Sequence, residues 1–279
     1  AEVILSGWGM PVVDTAFLAG APLLRIIFYS AGSVRGFVTD ALWARGVRLT
    51  SAQAGNAVPV ADFTLAVILF ALKHGWRLAA QTRIEQHFPS RAGIPGIAGA
   101  TVGIVSLGLI GRLVRERLRM FDVRVIAYDP SVTPQEANRL NISLHSLPEL
   151  FAQADVVSLH TPLLPETRDL IGGSLLASMP FGATFVNTAR GGIVQQDELI
   201  AVLRQRPDLH AVLDVTLPEP PPPDSPLYTL PNVTLTPHIA GAVGRERFRL
   251  GDLMVEELRR YVAGEPLHYE LSRAQVEHM

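Results

Sequence analysis

Three segments each place a polar side chain directly after a β-branched run: Arg190 in Asn187-Thr-Ala-Arg-Gly-Gly, Glu219 in Asp214-Val-Thr-Leu-Pro-Glu-Pro, and His238 in Thr236-Pro-His-Ile-Ala-Gly. Open α/β sheets build their ligand crevice at the ends of their parallel strands. An arginine there can clamp a carboxylate through two parallel hydrogen bonds, and a histidine near neutral pH can give or take the proton that accompanies hydride transfer. A carboxylate touching that histidine would fix its tautomer and stabilise the imidazolium. Singly, the three could be a surface pair, a solvated proline-loop residue and a satisfied strand-end histidine. Their recurrence on successive strand ends argues for one constellation.

Upstream, Ser106-Leu-Gly108-Leu109-Ile110-Gly111 leads a strand into a helix through a glycine-containing turn. Backbone N–H groups and the helix dipole hold a pyrophosphate in that setting. Gly108 allows close approach of the backbone to the phosphates and Gly111 allows close helix-to-strand packing. Ser106 stands where the GxGxxG pattern has its first glycine, and is expected to make the turn with a negative φ. Asp129 ends the next strand, where a carboxylate can accept from both ribose hydroxyls and would repel a 2′-phosphate. NAD is therefore favoured over NADP; the other reading is an exposed turn residue before Pro130.

These groups need a framework, and the hydrophobic pattern supplies one. Strands are expected over 101–106 and 123–128 around a helix over 109–121, a βαβ unit. Further strands at 156–159, 183–187, 211–215 and 233–236, with helices near 146–153, 173–178 and 196–204, extend it to a doubly wound parallel sheet. A smaller α/β pattern precedes it: strands at 3–5, 24–28 and 47–50, helices at 14–19 and 39–45, and a long helix at 60–80. Helix 245–262 stops at Gly264 with Pro266 beyond, and 267–279 is expected to pack back on the first domain. The fold class is α/β, with a Rossmann dinucleotide-binding domain over 77–263 and a smaller, flavodoxin-like substrate domain from 1–76 and 264–279.

Composition narrows the chemistry. Of 279 residues 48% are apolar and 18% charged, the balance of a chain with a sizeable core. The net charge of -2 provides no field for holding a polyanion, so no nucleic-acid partner is expected. Without cysteine there are no disulfides, thiolate metal sites or cysteine nucleophiles, and no metal site is expected. Lys73 is the single lysine and follows no glycine loop, which excludes a Walker-type NTPase. The longest apolar run, 65–72, falls short of the roughly 18 residues of a membrane span. No membrane partner and a cytoplasmic location are expected, although the absent initiator Met leaves a lost targeting segment open.

The pattern resembles the NAD-dependent D-2-hydroxyacid dehydrogenases, a family that includes glyoxylate/hydroxypyruvate reductases and phosphoglycerate dehydrogenases. The resemblance spans nearly the whole chain. It is carried by Val102-Gly-Ile-Val-Ser-Leu-Gly-Leu-Ile-Gly111, His160-Thr-Pro-Leu-Leu-Pro-Glu-Thr167, Asn187-Thr-Ala-Arg-Gly-Gly192, Asp214 through Glu219-Pro220, and Thr236-Pro-His-Ile-Ala-Gly241. It implies that Arg190, Glu219 and His238 are catalytic. It further implies that Asp214 binds the nicotinamide carboxamide, that His160, Thr161, Pro162, Thr167, Thr188, Ala189, Ala240 and Gly241 line the cofactor NAD, and that the Gly32-Ser33-Val34 loop offers N–H groups to the substrate carboxylate. Asn56 matches a family Asn near the substrate, though Ala54-Gly-Asn also suits a turn. The substrate implied is a small 2-oxo or 2-hydroxy acid and the assembly a homodimer. A cofactor-sensing corepressor or scaffold of the same fold is the alternative; formate oxidation is disfavoured, since that subfamily pairs its histidine with Gln where this chain has Glu219. Ser106, a start partway into the family's first domain, and the lack of a tryptophan in 86–99 are departures from the family pattern.

Overall fold

Short runs of Val, Ile, Phe and Thr become strands with both faces covered, the pattern of parallel sheets whose crossovers place helices on each side. The computed structural model describes residues 1–278. In chain order the elements begin with β1 (Val3–Ser6), α1 (Thr15–Gly20), β2 (Ile26–Tyr29), α2 (Asp40–Ala44), β3 (Arg48–Ser51), α3 (Gln53–Ala71) and α4 (Gly75–Glu85). Next come β4 (Ala100–Val105), α5 (Leu109–Leu118), β5 (Val123–Tyr128), α6 (Pro134–Leu140), β6 (Ser143–Leu144), α7 (Leu147–Gln153) and β7 (Val156–Leu159). The series ends with α8 (Gly173–Ala177), β8 (Thr184–Asn187), α9 (Gln196–Gln205), β9 (His210–Leu213), β10 (Val233–Leu235), α10 (Glu246–Val262) and α11 (Arg273–Glu277).

Two units result. The first, 1–59 with 241 onward, holds a parallel sheet in the order β1-β2-β3. The second, 60–240, holds a seven-stranded parallel sheet in the order β10-β9-β8-β7-β4-β5-β6. The order reverses between β4 and β7, which is the switch point where such sheets open a crevice. The α/β class is as expected. The divisions fall at 59/60 and 240/241, away from the expected 76/77 and 263/264. α10 explains one displacement: Leu250 and Met254 are buried with Ile26, Phe28 and Ala52, so this helix belongs to the small sheet's core. The chain end joins the same unit, where Leu271 N donates to Leu49 O (2.8 Å) and Arg48 pairs with Glu270 through two 2.7 Å contacts.

The single helix expected over 60–80 is two helices. α3 starts at Gln53, whose N–H donates to Ser51 Oγ (3.2 Å), and runs on through Pro59. It ends before His74, whose φ of 50° breaks the helical path and starts α4. With mean hydropathy 1.6 over 18 residues, α3 is long and apolar enough to cross a membrane by length and composition, a property that a search for unbroken apolar runs overlooks. From its middle onward Ala61 and Ile68, with Leu72 just past the helix end, are fully buried with Val102, Ile104 and Leu118, each large side chain contributing about 1.5–3 kcal/mol of burial free energy. It is a core helix of the second unit over that stretch. α7 shows how local sequence sets an end: Ser146 and Glu149 form a reciprocal capping box.

Candidate active site

β8 ends on Asn187, 1% exposed, and its carboxamide shapes the turn that follows. Its Oδ1 accepts from Ala189 N (3.0 Å) and its Nδ2 donates to Arg190 O (3.0 Å). Arg190 Nη1 donates to Ala189 O (2.6 Å). Part of the Arg190 side chain is open to solvent, yet crowding around the guanidinium lowers its pKa while the Glu219 charge raises it; an arginine stays protonated throughout. Gly191 is obligatory here, because a Cβ would lie 2.0 Å from the carbonyl carbon of Thr216.

Asp214, immediately after β9 and 2% exposed, organises the next strand end. Its Oδ1 accepts from Thr236 Oγ1 (2.5 Å) and Ile239 N (2.9 Å), and its Oδ2 from Ala240 N (2.8 Å). His238 N donates to Asp214 O (3.1 Å), and His238 itself has a φ of 53°, the left-handed region. So wrapped, the loop brings His238 Nδ1 to 2.6 Å from Glu219 Oε1. A proton on Nδ1 donated to Glu219 leaves Nε2 as the ring atom that can exchange one. Arg190, Glu219 and His238 thus follow three neighbouring strands of one sheet edge. Sequence reasoning did not single out Asn187 and Thr236; a buried Asn or Thr at a strand end, beside a turn with unpaired backbone groups, was the available signal.

The dinucleotide turn departs from expectation at one residue. Ser106 has a φ of 78°, not a negative one, so its Cβ sits where glycine is favoured. Gly111 explains why: a Cβ there would lie 2.1 Å from Ser106 O, so the turn and the helix are pressed together. Ser106→Gly is expected to relieve about 1 kcal/mol of strain, set against glycine's greater freedom in the unfolded chain. The net effect should be a thermal midpoint unchanged or raised by a few degrees, with NADH affinity altered by less than about tenfold. Parallel melting curves and NADH titrations measure both; a midpoint lowered by several degrees would contradict the strain.

Around that turn, Gly108 caps α5 without any side-chain hydrogen bond, leaving first-turn N–H groups for another acceptor. Leu109 is exposed and Ile110 half-buried. Asp129 Oδ2 accepts from Leu107 N (2.7 Å) and its Oδ1 from Ser131 N (2.9 Å) and Oγ (2.7 Å). Partial burial opposes its charge, but these hydrogen bonds and the Arg112 guanidinium hold the carboxyl below the usual range. Arg112 is itself paired with Glu136 (2.7 Å).

At the end of β7, His160 Nε2 meets Ser158 Oγ (2.9 Å), while His160 Nδ1 and Thr161 Oγ1 are buried without partners. Burial pushes the His160 pKa down to about 4, so the ring is neutral near pH 7. Thr167 Oγ1 donates to Pro162 O (2.6 Å) and accepts from Leu164 N (2.8 Å), which closes the turn after His160. Thr188 Oγ1 meets Thr64 Oγ1 (3.1 Å), and Ala189 and Ala240 are buried. Two orphaned buried polar atoms beside an uncapped helix start, on neighbouring strands, suit a dinucleotide with hydrogen-bonding groups along its length. Among the described residues no cluster of three or more His, Asp or Glu could hold a metal.

In the first unit, Val34 is fully buried, so that loop can offer a ligand only its backbone and Ser33. Ser51 Oγ contacts the carbonyls of Ala31 (3.0 Å) and Gly32 (2.7 Å), which turns them inward. Asn56 lies inside α3 rather than in a turn. Its Oδ1 accepts from Ala242 N (2.9 Å), and a Cβ on Gly32 would lie 3.3 Å from its Nδ2, so it joins the Gly32 loop to the Gly241-Ala242 segment. A cavity of about 220 Å³ beside Trp76, Arg77 and His210 lies at the starts of β8 and β9, the edge opposite Arg190 and His238.

A doubly wound parallel sheet with a strand-to-helix glycine turn at its switch point defines the second unit as a dinucleotide-binding domain. Residues 65–240 match the family described as D-isomer specific 2-hydroxyacid dehydrogenase, NAD binding domain, and the chain belongs to that family. It is 38% identical over 255 residues to D-3-phosphoglycerate dehydrogenase of Mycobacterium tuberculosis, covering 91% of this chain and 48% of that protein. The chain therefore spans about half the length of that relative. It is 36% identical over 251 residues to (S)-sulfolactate dehydrogenase of Chromohalobacter salexigens, covering 89% of this chain and 81% of that one. Among solved structures, the TT0316 protein of Thermus thermophilus superposes with a TM-score of 0.82 at 34% identity, covering 98% of this chain and 86% of the other.

Proposed function

We propose that this protein is an NAD(H)-dependent oxidoreductase that interconverts a small 2-oxo acid and the corresponding D-2-hydroxy acid. The observation that carries the reading is the 2.6 Å contact between His238 Nδ1 and Glu219 Oε1, on the sheet edge that also presents Arg190. Arg190 holds the substrate carboxylate and polarises the adjacent carbonyl through its planar fork. His238, oriented by Glu219, gives its Nε2 proton to the carbonyl oxygen during reduction and takes it back during oxidation. NADH, when bound, supplies the hydride. A cofactor sensor of the same fold would need none of these three side chains, so their geometry favours the enzyme.

For the cofactor, the N–H groups of Gly108, Leu109, Ile110 and Gly111 would hold the pyrophosphate, and Asp129 would accept from the adenosine ribose hydroxyls. His160, Thr161, Pro162, Thr188, Ala189, Ala240 and Gly241 line the site, with Thr167 setting the turn beneath. Asp214 has three donors within the His238 loop and keeps acceptor capacity for the nicotinamide carboxamide. Gly32, Ser33, Val34 and Asn56 are assigned to the substrate carboxylate on the family resemblance alone. We take the assembly to be a cytoplasmic homodimer. Relatives named for phosphoglycerate, sulfolactate and glyoxylate do not single out one acid.

The testing experiment is an NADH oxidation screen over glyoxylate, pyruvate, hydroxypyruvate, phenylpyruvate and branched 2-oxo acids. At least one should be turned over, and no oxidation alongside tight NADH binding would favour the sensor. With an active acid, kcat/KM is expected to be at least about tenfold higher with NADH than with NADPH, because the Asp129 carboxylate faces a 2′-phosphate. Preference for NADPH would mean that Arg112 neutralises Asp129.

A further inference from the structure

The cavity at the starts of β8 and β9 is lined by residues of the second unit alone and plays no part in the chemistry above. The left-handed turn at His74, between α3 and α4, sends Trp76 and Arg77 against the strand starts: the Trp76 ring lies parallel to that of His210, with centroids 5.6 Å apart. His74 is buried and lodges beside Gly182, where a Cβ would lie 2.9 Å from its Cε1. Its Nδ1 accepts from Arg77 Nη2 (2.6 Å). Burial, then the Arg77 charge, lowers the His74 pKa, and burial, then His74 and Arg77, push that of His210 down to about 4, so both rings are neutral near pH 7. Arg77 forms no ion pair among the described residues; its partner is that neutral imidazole. The carboxylate of Asp208, at the same cavity, is already held by Arg206 Nε (2.8 Å) and Nη2 (2.7 Å) and by Gly182 N (3.1 Å). Ala71, Ala80, Pro207 and Leu209 make the remaining walls apolar. A half-buried guanidinium without counter-charge in such walls favours an anion that brings its own apolar body.

We propose that this cavity is a second ligand site, for a small aromatic monocarboxylate whose carboxylate accepts from Arg77 and whose ring packs on the Trp76–His210 wall. Parallel aromatic rings offer a further ring offset or edge contacts. At about 220 Å³ the cavity is smaller than the roughly 300–1,000 Å³ of sites for drug-sized ligands, which limits the occupant to about one ring. A second anionic group would meet Asp208, so the occupant carries a single charge. Because the site lies at the edge opposite Arg190 and His238, its ligand binds together with NADH and is distinct from the acid that is reduced.

Isothermal titration with benzoate, benzamide, acetate and cyclohexanecarboxylate tests the site. Benzoate should bind at least about tenfold more tightly than the isosteric but neutral benzamide, the scale of one charge-assisted hydrogen bond. It should also exceed acetate and cyclohexanecarboxylate, which lack the flat ring. Saturating NADH should leave its affinity within about twofold, as for uncoupled sites. Arg77→Gln keeps a donor for His74 Nδ1 and loses the charge; it should abolish the preference for benzoate with a thermal midpoint within a few degrees of wild type, and Arg77→Lys should restore part of it. In a Trp8→Phe, Trp43→Phe double variant Trp76 is the single tryptophan, and benzoate should change its emission. Equal affinity for benzoate and benzamide, displacement by NADH, or an unchanged Trp76 emission would overturn the proposal. So would benzoate binding that survives Arg77→Gln and is lost in Arg190→Lys, which would put the anion beside Arg190. Failure of every probe, in a protein whose dimer falls to a monomer on Trp76→Ala, would assign the cavity to a contact between copies and overturn it as well.

Discussion

Arg190→Lys is expected to lower kcat/KM for 2-oxo acid reduction by about a hundredfold, the cost of a misplaced substrate, while NADH affinity changes by no more than about threefold. Charge is conserved in this substitution, so the loss isolates geometry. Guanidinium presents two parallel donors to a carboxylate; ammonium presents a single point charge on a flexible stem and cannot also polarise the neighbouring carbonyl from a fixed plane. The structure specifies why a replacement cannot simply readjust. Asn187 holds the backbone on both sides of the turn, at Ala189 N and Arg190 O, and Gly191 is pressed against Thr216 with no room for a Cβ. Lysine must therefore reach from the same fixed point. KM should rise and kcat fall together, since the proposed role gives Arg190 a hold on both the bound acid and its developing oxyanion. Stopped-flow binding of NADH alongside steady-state rates separates the two. Unchanged turnover would remove Arg190 from the site.

Glu219→Gln carries the second large effect, and it acts through geometry. The carboxylate 2.6 Å from His238 Nδ1 accepts from a protonated Nδ1 and so leaves Nε2 as the ring atom that exchanges a proton with the acid. A carboxylate can only accept, whereas glutamine can turn either its oxygen or its NH2 to the ring, so the tautomer and the ring orientation are no longer fixed. kcat/KM for reduction should fall by about tenfold or more, with NADH affinity unchanged within about threefold. Steady-state rates beside NADH titrations, for both proteins, decide the matter. An unchanged kcat/KM would assign Glu219 to the proline loop alone.

The parts of this architecture that sequence made legible are those where local pattern and tertiary role coincide. β4, α5 and β5 could be placed because an apolar run, a glycine turn and an amphipathic helix follow one another within 29 residues, from Ala100 to Tyr128. Arg190, Glu219 and His238 could be grouped because each follows a strand of one parallel sheet. Features that depend on a neighbour remote in sequence stayed hidden. The start of α3 at Gln53 was obscured by Gly55 and Pro59, ordinarily breakers, and its end by the left-handed turn at His74. The positive φ of Ser106 follows from the press of Gly111 against its carbonyl, which no local propensity expresses. Asp214 could be recognised as important from its place in the motif, but its hold on Thr236, Ile239 and Ala240 emerges only when β9 and β10 lie side by side.

The central claim is that hydride passes directly between NADH and C2 of a 2-oxo acid beside Arg190 and His238, giving the D-hydroxy acid. Its most direct test uses NADH deuterated at the transferring C4 position with the best acid from the screen, followed by mass and chiral analysis of the product. The account predicts one deuterium at C2, D configuration, and loss of product formation in His238→Gln with NADH binding retained. A product without deuterium, or of L configuration, or formed at the wild-type rate by His238→Gln, would contradict it.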